Sequence, residues 1–164
     1  MYIKIYTDGA YSSKTNIGGW ALISVPEAVS YDNELYKYYY KDSGWEHNTT
    51  NNRMELLAVI VGLEAIKRPN AQVNVYSDSS YVVKAINEGW IQGWLKKGLH
   101  KQKNADLWER FLVIYRKHQV RFFWIKGHAG HPENERCDAL AVEAALSPEL
   151  KIDAGYEAAP GQLL

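Results

Sequence analysis

The hydrophobic pattern of this chain changes character near Asn52, and that change narrows the possible folds more than any single motif. Before it, "YIKIYT", "IGGWALISV" and "ELYKYYYKD" alternate or run β-rich, with the irregular "PEAVSYDN" separating the last two. Three consecutive strands of this kind read as an antiparallel meander, with Asp8-Gly9 as the turn dipeptide that closes the first. From Asn52 to Ile66 the period becomes helical. Met54, Leu57, Val61 and Ile66 fall near one face, and Leu56, Ile60 and Leu63 widen it into a buried stripe that Pro69-Asn70 ends. "QVNVYSD" is then a short strand, "SSYVVKAINEG" a helix stopping at Gly89, and "WIQGWLKK" a second helical stretch. "ADLWERFLVIYRKH" is amphipathic, "VRFFWI" is a strand, and a last helix runs from Pro132 to about Ala145, with proline at its favoured first position. Strands first, then alternating helix and strand, predict an α/β domain: a mixed sheet with helices packed on it.

The chain of 164 residues suits one domain able to bury most of its apolar surface without staples. After Ser147-Pro148 the composition turns to Gly, Ala and Pro, so residues 1–147 read as the domain and 148–164 as a loosely held tail. The N-terminus "MYIKIYTDG" is no secretion leader, and no apolar run approaches the length of a membrane span. Cys137 is the single cysteine, which excludes an internal disulfide and suits a reducing cytoplasm. The formal net charge is zero, so a polyanionic partner has to be met by a local basic patch.

Two strands end alike. In "IKIYTDG" and "VNVYSDS" an apolar strand is followed by a hydroxyl residue, an aspartate and a small residue. Side chains at the C-terminal ends of strands in an α/β sheet face the crevice where ligands bind, so neighbouring strands would aim Asp8 and Asp78 at one place. Each has a plainer reading: Asp8 as a turn residue, Asp78 as the N-cap of the following helix. Glu55 has one too, because Asn52-Arg53-Met54-Glu55 is spaced like a capping box, although a first-turn glutamate can reach the same crevice. Asp138 lies in mid-helix beside the face made by Leu140, Ala141 and Ala144, where a partly buried carboxylate needs a partner. Four carboxylates without a cation repel one another. A divalent ion resolves that, and hard oxygen ligands favour magnesium, with manganese as a substitute. Two such ions about 3.5–4 Å apart clamp the attacking and leaving oxygens of an in-line phosphodiester displacement.

Four blocks in this order, "YTDG", "TTNNRMEL", "YSDSSYV" and "WIKGHAGHPENERCDALA", closely resemble bacterial-type ribonuclease H of type 1, over roughly residues 2 to 147. The resemblance implies the ribonuclease H-like fold, a five-stranded mixed sheet flanked by helices. It also implies a magnesium-dependent endoribonuclease that cuts the RNA strand of an RNA/DNA hybrid and leaves 5′-phosphate and 3′-hydroxyl ends. By matching positions, Asp8, Glu55, Asp78 and Asp138 would hold the metal, and His128 would assist proton transfer or product departure from a mobile loop. Zinc is the competing reading of "GHAGHPENERC", but His128, His131 and Cys137 lack a fourth ligand. His131 reads as a loop-fixing residue, and Glu133, Asn134 and Glu135 as residues that hold the loop and the helix start.

The same resemblance implies the substrate contacts. Hybrids differ from DNA by the 2′-hydroxyls lining the wide minor groove. Asn51 and Asn52 would contact that groove, Thr50 and Asn104 would hold a DNA phosphate, and Tyr81 and Trp90 would form an aromatic channel for the DNA strand. Lys96, Lys97, Lys101 and Lys103, with Trp94 behind them, resemble the family's basic protrusion, in a shorter form. Where relatives carry a groove-reading Asn after the first aspartate, this chain has "AYSSKTNIGG", with Lys14 or Asn16 as substitutes. The chain is expected to act as a monomer on a hybrid duplex and not at a membrane. A DNA-cutting integrase or transposase relative, and a hybrid-binding domain without metals, are the rival readings. The "TNNRME" and "GHAGH" blocks oppose the first, and the presence of all four carboxylates opposes the second.

Overall fold

The computed structural model describes residues 2–26 and 40–146. The strands are β1 (Tyr2–Ser12), β2 (Ile17–Pro26), β3 (Tyr40–His47), β4 (Gln72–Ser77) and β5 (Gln119–Trp124). The helices are α1 (Asn51–Glu64), α2 (Ser80–Asn87), α3 (Trp90–Lys97), α4 (Ala105–Tyr115) and α5 (Pro132–Ala145), with a short 3₁₀ turn at Leu99–Lys101. The five strands form one sheet in the order β3-β2-β1-β4-β5. The meander β1-β2-β3 is antiparallel, and β4 and β5 continue it in parallel. The mixed sheet flanked by helices is therefore the observed architecture.

Period-two alternation sends neighbouring side chains to opposite faces and so divides the core in two. Ile5, Val73, Val75 and Phe122 lie under α1, α2 and α4, where Trp108 and Phe111 are fully buried. Tyr6, Ala21, Ile23 and Val25 lie on the other face against Cys137, Leu140 and Ala141 of α5. Each fully buried Leu, Ile or Phe of this kind contributes about 1.5–3 kcal/mol relative to exposure. Helix α1 is buried from Arg53 to Ile60 without a break, the pattern of a helix enclosed on all sides. It is held between β1 and α4.

Several sequence expectations shift in register. The first strand does not close at Asp8-Gly9: β1 runs on to Ser12 because Asp8 pairs with Ala21 and Gly9 with Trp20. The turn comes at residues 13–16 instead, where Asn16 takes a left-handed φ of 57°, a conformation asparagine tolerates better than most residues. The third strand lies later than expected, and the part of "ELYKYYYKD" before Tyr40 falls outside the described residues. So does the 148–164 tail.

Candidate active site

The parallel pairing of β1 with β4 ends at Thr7 opposite Ser77. Asp8 on β1 and Asp78 just past the end of β4 are the next residues, so the matched strand ends found in the sequence do lie side by side. Neither takes its plainer role. Asp8 is a strand residue rather than a turn residue, and the N-cap of α2 is Ser79, whose hydroxyl accepts from the Val82 N–H. Glu55 likewise loses the capping-box reading. The N-cap of α1 is Thr50, which places Glu55 in the second turn, and no acidic residue occupies the first turn.

Glu55 reaches the strand ends because Gly9 lets α1 come down on β1. A Cβ at residue 9 would stand 2.5 Å from the Glu55 backbone nitrogen, closer than any side chain allows. The result is a cluster in which Asp8, Glu55 and Asp78 each offer a carboxylate oxygen, all within 4.8 Å of one another. Asp8 is 5% and Glu55 4% exposed. Asp138 is half-buried on α5 and lies outside that group of three, yet its charge adds to the perturbation of both aspartates.

The electrostatics follow from this crowding. Burial, then the charge of Asp78, raises the Asp8 carboxyl from 3.8 to about 7, against the pull of the Gly9 N–H that donates to its Oδ1 at 2.8 Å. Burial and the charges of Asp8 and Asp78 push Glu55 well above the ordinary carboxylate range. Asp78 is raised chiefly by burial, while the facing Asn134 amide and the charge of His128 pull it down. The Glu55 Oε2 is buried with no hydrogen-bond partner. An orphaned carboxylate oxygen among like charges fits a hard divalent cation, the one group that would satisfy all three at once.

The loop after β5 completes the site. His128 is exposed at φ 53°, and Gly127 packs on Asp78 so closely that a Cβ there would stand 2.5 Å from Oδ2. Pro132 opens α5, His131 precedes it without a capping side-chain bond, and Glu133 and Asn134 are buried while Glu135 is exposed. Cys137 is fully buried, its Sγ donates to the Tyr6 carbonyl at 3.3 Å, and burial pushes its thiol far up. His128 and His131 are exposed while Cys137 is buried, and the group of potential metal ligands found among the described residues is Asp8, Glu55 and Asp78, not these three.

Thr50, Asn51 and Asn52 lie at the N-terminal end of α1, Tyr81 in α2, Trp90, Lys96 and Lys97 in α3, and Asn104 just before α4, where its amide donates to the Tyr81 hydroxyl at 3.0 Å. Asn51, Asn52, Lys96 and Lys97 are exposed, and so are Lys101 and Lys103. Trp90 is 38% exposed and packs at a tilt on Trp94, which meets the buried Trp108 edge-on, as Tyr81 does. Asn16 is committed elsewhere: its amide donates to Asn48 Oδ1 at 2.7 Å and its oxygen accepts from the Tyr11 hydroxyl at 2.8 Å. It pins the segment that leads into α1, which leaves Lys14 as the exposed candidate of that turn.

Three residues near the site escape sequence reasoning. The Trp124 indole donates to the Asp78 carbonyl at 3.0 Å and fixes the backbone behind that carboxylate, a contact no spacing rule announces. Arg53 and Asp106 form a buried-to-surface ion pair at 2.7 Å. Its sequence trace is a lone arginine within the stretch of α1 that is buried from Arg53 to Ile60.

The comparisons with known proteins agree with this geometry. The family model for RNase H matches residues 1–146. A ribonuclease H of Desulforamulus reducens is 49% identical over 157 residues, covering 92% of this chain and 92% of the relative. Ribonuclease HI of Campylobacter jejuni is 46% identical over 146 residues, covering 88% of this chain and 92% of the relative. Among solved structures, LC9-RNase H1, described as a type 1 RNase H with the type 2 active-site motif, superposes with a TM-score of 0.72 at 28% identity. That match covers 88% of this chain and 72% of the other. Strand order, carboxylate cluster and sequence kinship converge, and the chain belongs to the RNase H family of nucleases.

Proposed function

We propose that this enzyme hydrolyses the RNA strand of RNA/DNA hybrids at the Asp8, Glu55 and Asp78 cluster, with Asp138 as the fourth carboxylate. The observation that carries the reading is the meeting of three buried carboxylate oxygens within 4.8 Å in a chain of this family. Magnesium is the cation these residues would hold, with manganese able to replace it. A pair of such ions supplies charge stabilisation to the attacking and leaving oxygens of an in-line displacement at phosphorus. The bond broken is that between phosphorus and the 3′ oxygen, so the products carry 5′-phosphate and 3′-hydroxyl ends. His128, exposed beside Asp78, is the acid/base group that passes a proton at the water or the departing oxygen.

The contacts with substrate follow the site outward. Asn51 and Asn52 face the minor groove, Thr50 and Asn104 hold a phosphate of the DNA strand, and Tyr81 and Trp90 line its path. Lys96, Lys97, Lys101 and Lys103 add the local positive charge that a neutral protein needs to approach a duplex. Residues 1–147 form the catalytic domain, which works as a monomer in the cytoplasm. Among the described residues no helix is long and apolar enough to cross a membrane.

A labelled RNA/DNA hybrid, incubated with the protein in magnesium and again in a chelator, tests the reading. RNA cut only in magnesium, with double-stranded DNA and RNA left intact, is the expected result. Cleavage in the chelator, or of duplex DNA, overturns it.

A further inference from the structure

Arg53 is the most deeply buried cation of the described structure, at 2% exposure, and it lies outside the carboxylate cluster. Its guanidinium grips Asp106 with both arms, Nη1 to Oδ1 at 2.8 Å and Nη2 to Oδ2 at 2.7 Å. The same Nη1 reaches Asn104 Oδ1 at 3.4 Å. Meanwhile the Arg53 backbone N–H donates to Thr50 Oγ1 at 3.3 Å. The Thr50 bond comes from the backbone and is indifferent to the side chain at residue 53, so the guanidinium itself contacts one member of the proposed phosphate site, Asn104 on the α4 side.

Asn104 is held in an unusual way. It precedes α4 at φ 59° and makes no capping bond with its side chain, although asparagine is among the best caps. Its amide nitrogen donates instead to the Tyr81 hydroxyl at 3.0 Å, and that hydroxyl also accepts from the Trp108 indole at 2.8 Å. Asparagine tolerates this left-handed backbone better than most residues, so what distinguishes Asn104 is how its side chain is held. Here Arg53 fixes one end of the amide and Tyr81 the other. The Asp106 side chain is 42% exposed, and an ion pair open to solvent on one side adds little stability, so the arrangement calls for another role.

We infer that Arg53 and Asp106 are a positioning pair that fixes the Asn104 amide as one half of a preformed receptor for a backbone phosphate, whose other half is Thr50. This rests on the reading of Thr50 and Asn104 as phosphate contacts. Arg53 also stands two residues before Glu55 on the same helix, so the pair ties the start of α4 to the helix that carries Glu55. Asp106 neutralises Arg53, which makes the contribution geometric rather than a further positive charge.

The test replaces the pair with apolar residues, Arg53→Met together with Asp106→Leu, so that neither charge is left without its partner. The Michaelis constant for hybrid should rise about ten-fold, the scale of one hydrogen bond to a charged phosphate, with kcat falling less than about three-fold. The slope of log affinity against log salt should stay unchanged. A flattening by about 0.7–0.9 would mean that Arg53 meets the phosphate as a cation, and would overturn the geometric role. Adding Asn104→Ala to the apolar pair should cause little further loss, because the amide is already released; additive losses overturn the coupling. If the apolar pair fails to fold, Asp106→Asn carries the same expectations in milder form. Asn104→Ala or Thr50→Val raising the Michaelis constant while the apolar pair does not sinks the inference and leaves the phosphate site standing. No effect from Asn104→Ala and Thr50→Val sinks the phosphate site itself.

Discussion

Replacing Asp8 with Asn separates the charge of the site from its shape. The amide is nearly isosteric, so strand pairing and the close approach of α1 at Gly9 are kept while one of three crowded carboxylates is removed. Two unit charges no more than 4.8 Å apart repel by at least about 3.5 kcal/mol at an effective dielectric of about 20. The Asp8 carboxyl gives a similar figure. Moved from 3.8 to about 7 by burial and then by Asp78, it carries about 4 kcal/mol at about 1.4 kcal/mol per tenfold in acidity. A folded-state pKa above the unfolded one means the wild type keeps this contribution below about pH 4 and loses it as pH rises through about 7. The Asn variant has no such loss. In metal-free buffer the two should therefore melt together near pH 4, and the variant should be the more stable near pH 8. At about 2–4 °C per kcal/mol for a chain of this size, the gap near pH 8 is roughly 8–16 °C. Saturating magnesium should close or invert it, because only the wild type regains stability by binding the ion. Thermal unfolding followed by circular dichroism, in chelator and in magnesium at both pH values, reads every one of these quantities. A variant less stable than wild type near pH 8 without metal, or a gap indifferent to pH, refutes the reasoning.

Asp78→Asn should abolish cleavage while hybrid binding and the circular dichroism spectrum stay near wild type; cutting at wild-type rate in magnesium would dismiss Asp78 as a ligand. His128→Ala should slow turnover by about 10²–10⁴-fold, the usual share of a positioned acid/base group, and less than Asp78→Asn does. Equal losses in single-turnover assays would make His128 structural. Lys96→Ala with Lys97→Ala should raise the Michaelis constant and flatten the salt slope by about 0.7–0.9 for each phosphate that is no longer neutralised. An unchanged slope would mark the lysines as solvated surface only.

Much of this protein is written locally. The order of strands and helices is legible because period two and period 3.6 depend only on neighbours along the chain. The pattern of "WIQGWLKK" predicts a helix and α3 occupies Trp90–Lys97, while α5 begins at Pro132, the first helical position that proline favours. The identity of the family is equally local, carried by the four blocks that end in "GHAGHPENERCDALA".

What the chain does not write locally is which distant residues meet. The repeated strand endings suggest a shared crevice, but only the parallel pairing of Thr7 with Ser77 makes Asp8 and Asp78 neighbours. Spacing favours a capping role for Glu55. Tertiary packing overrides it, because Thr50 takes the N-cap and Gly9 admits the helix backbone against β1. Asp8 reads as the end of a strand until Ala21 on β2 pairs with it. Arg53, Asn104 and Tyr81 lie far apart in sequence, and their hydrogen bonds exist only once α1, α2 and α4 converge on one side of the sheet. Sequence by itself determined the elements and the chemistry available to them. The sheet order and the packing of α1 decided where that chemistry meets, since a carboxylate's acidity and a phosphate's receptor depend on neighbours in space rather than along the chain.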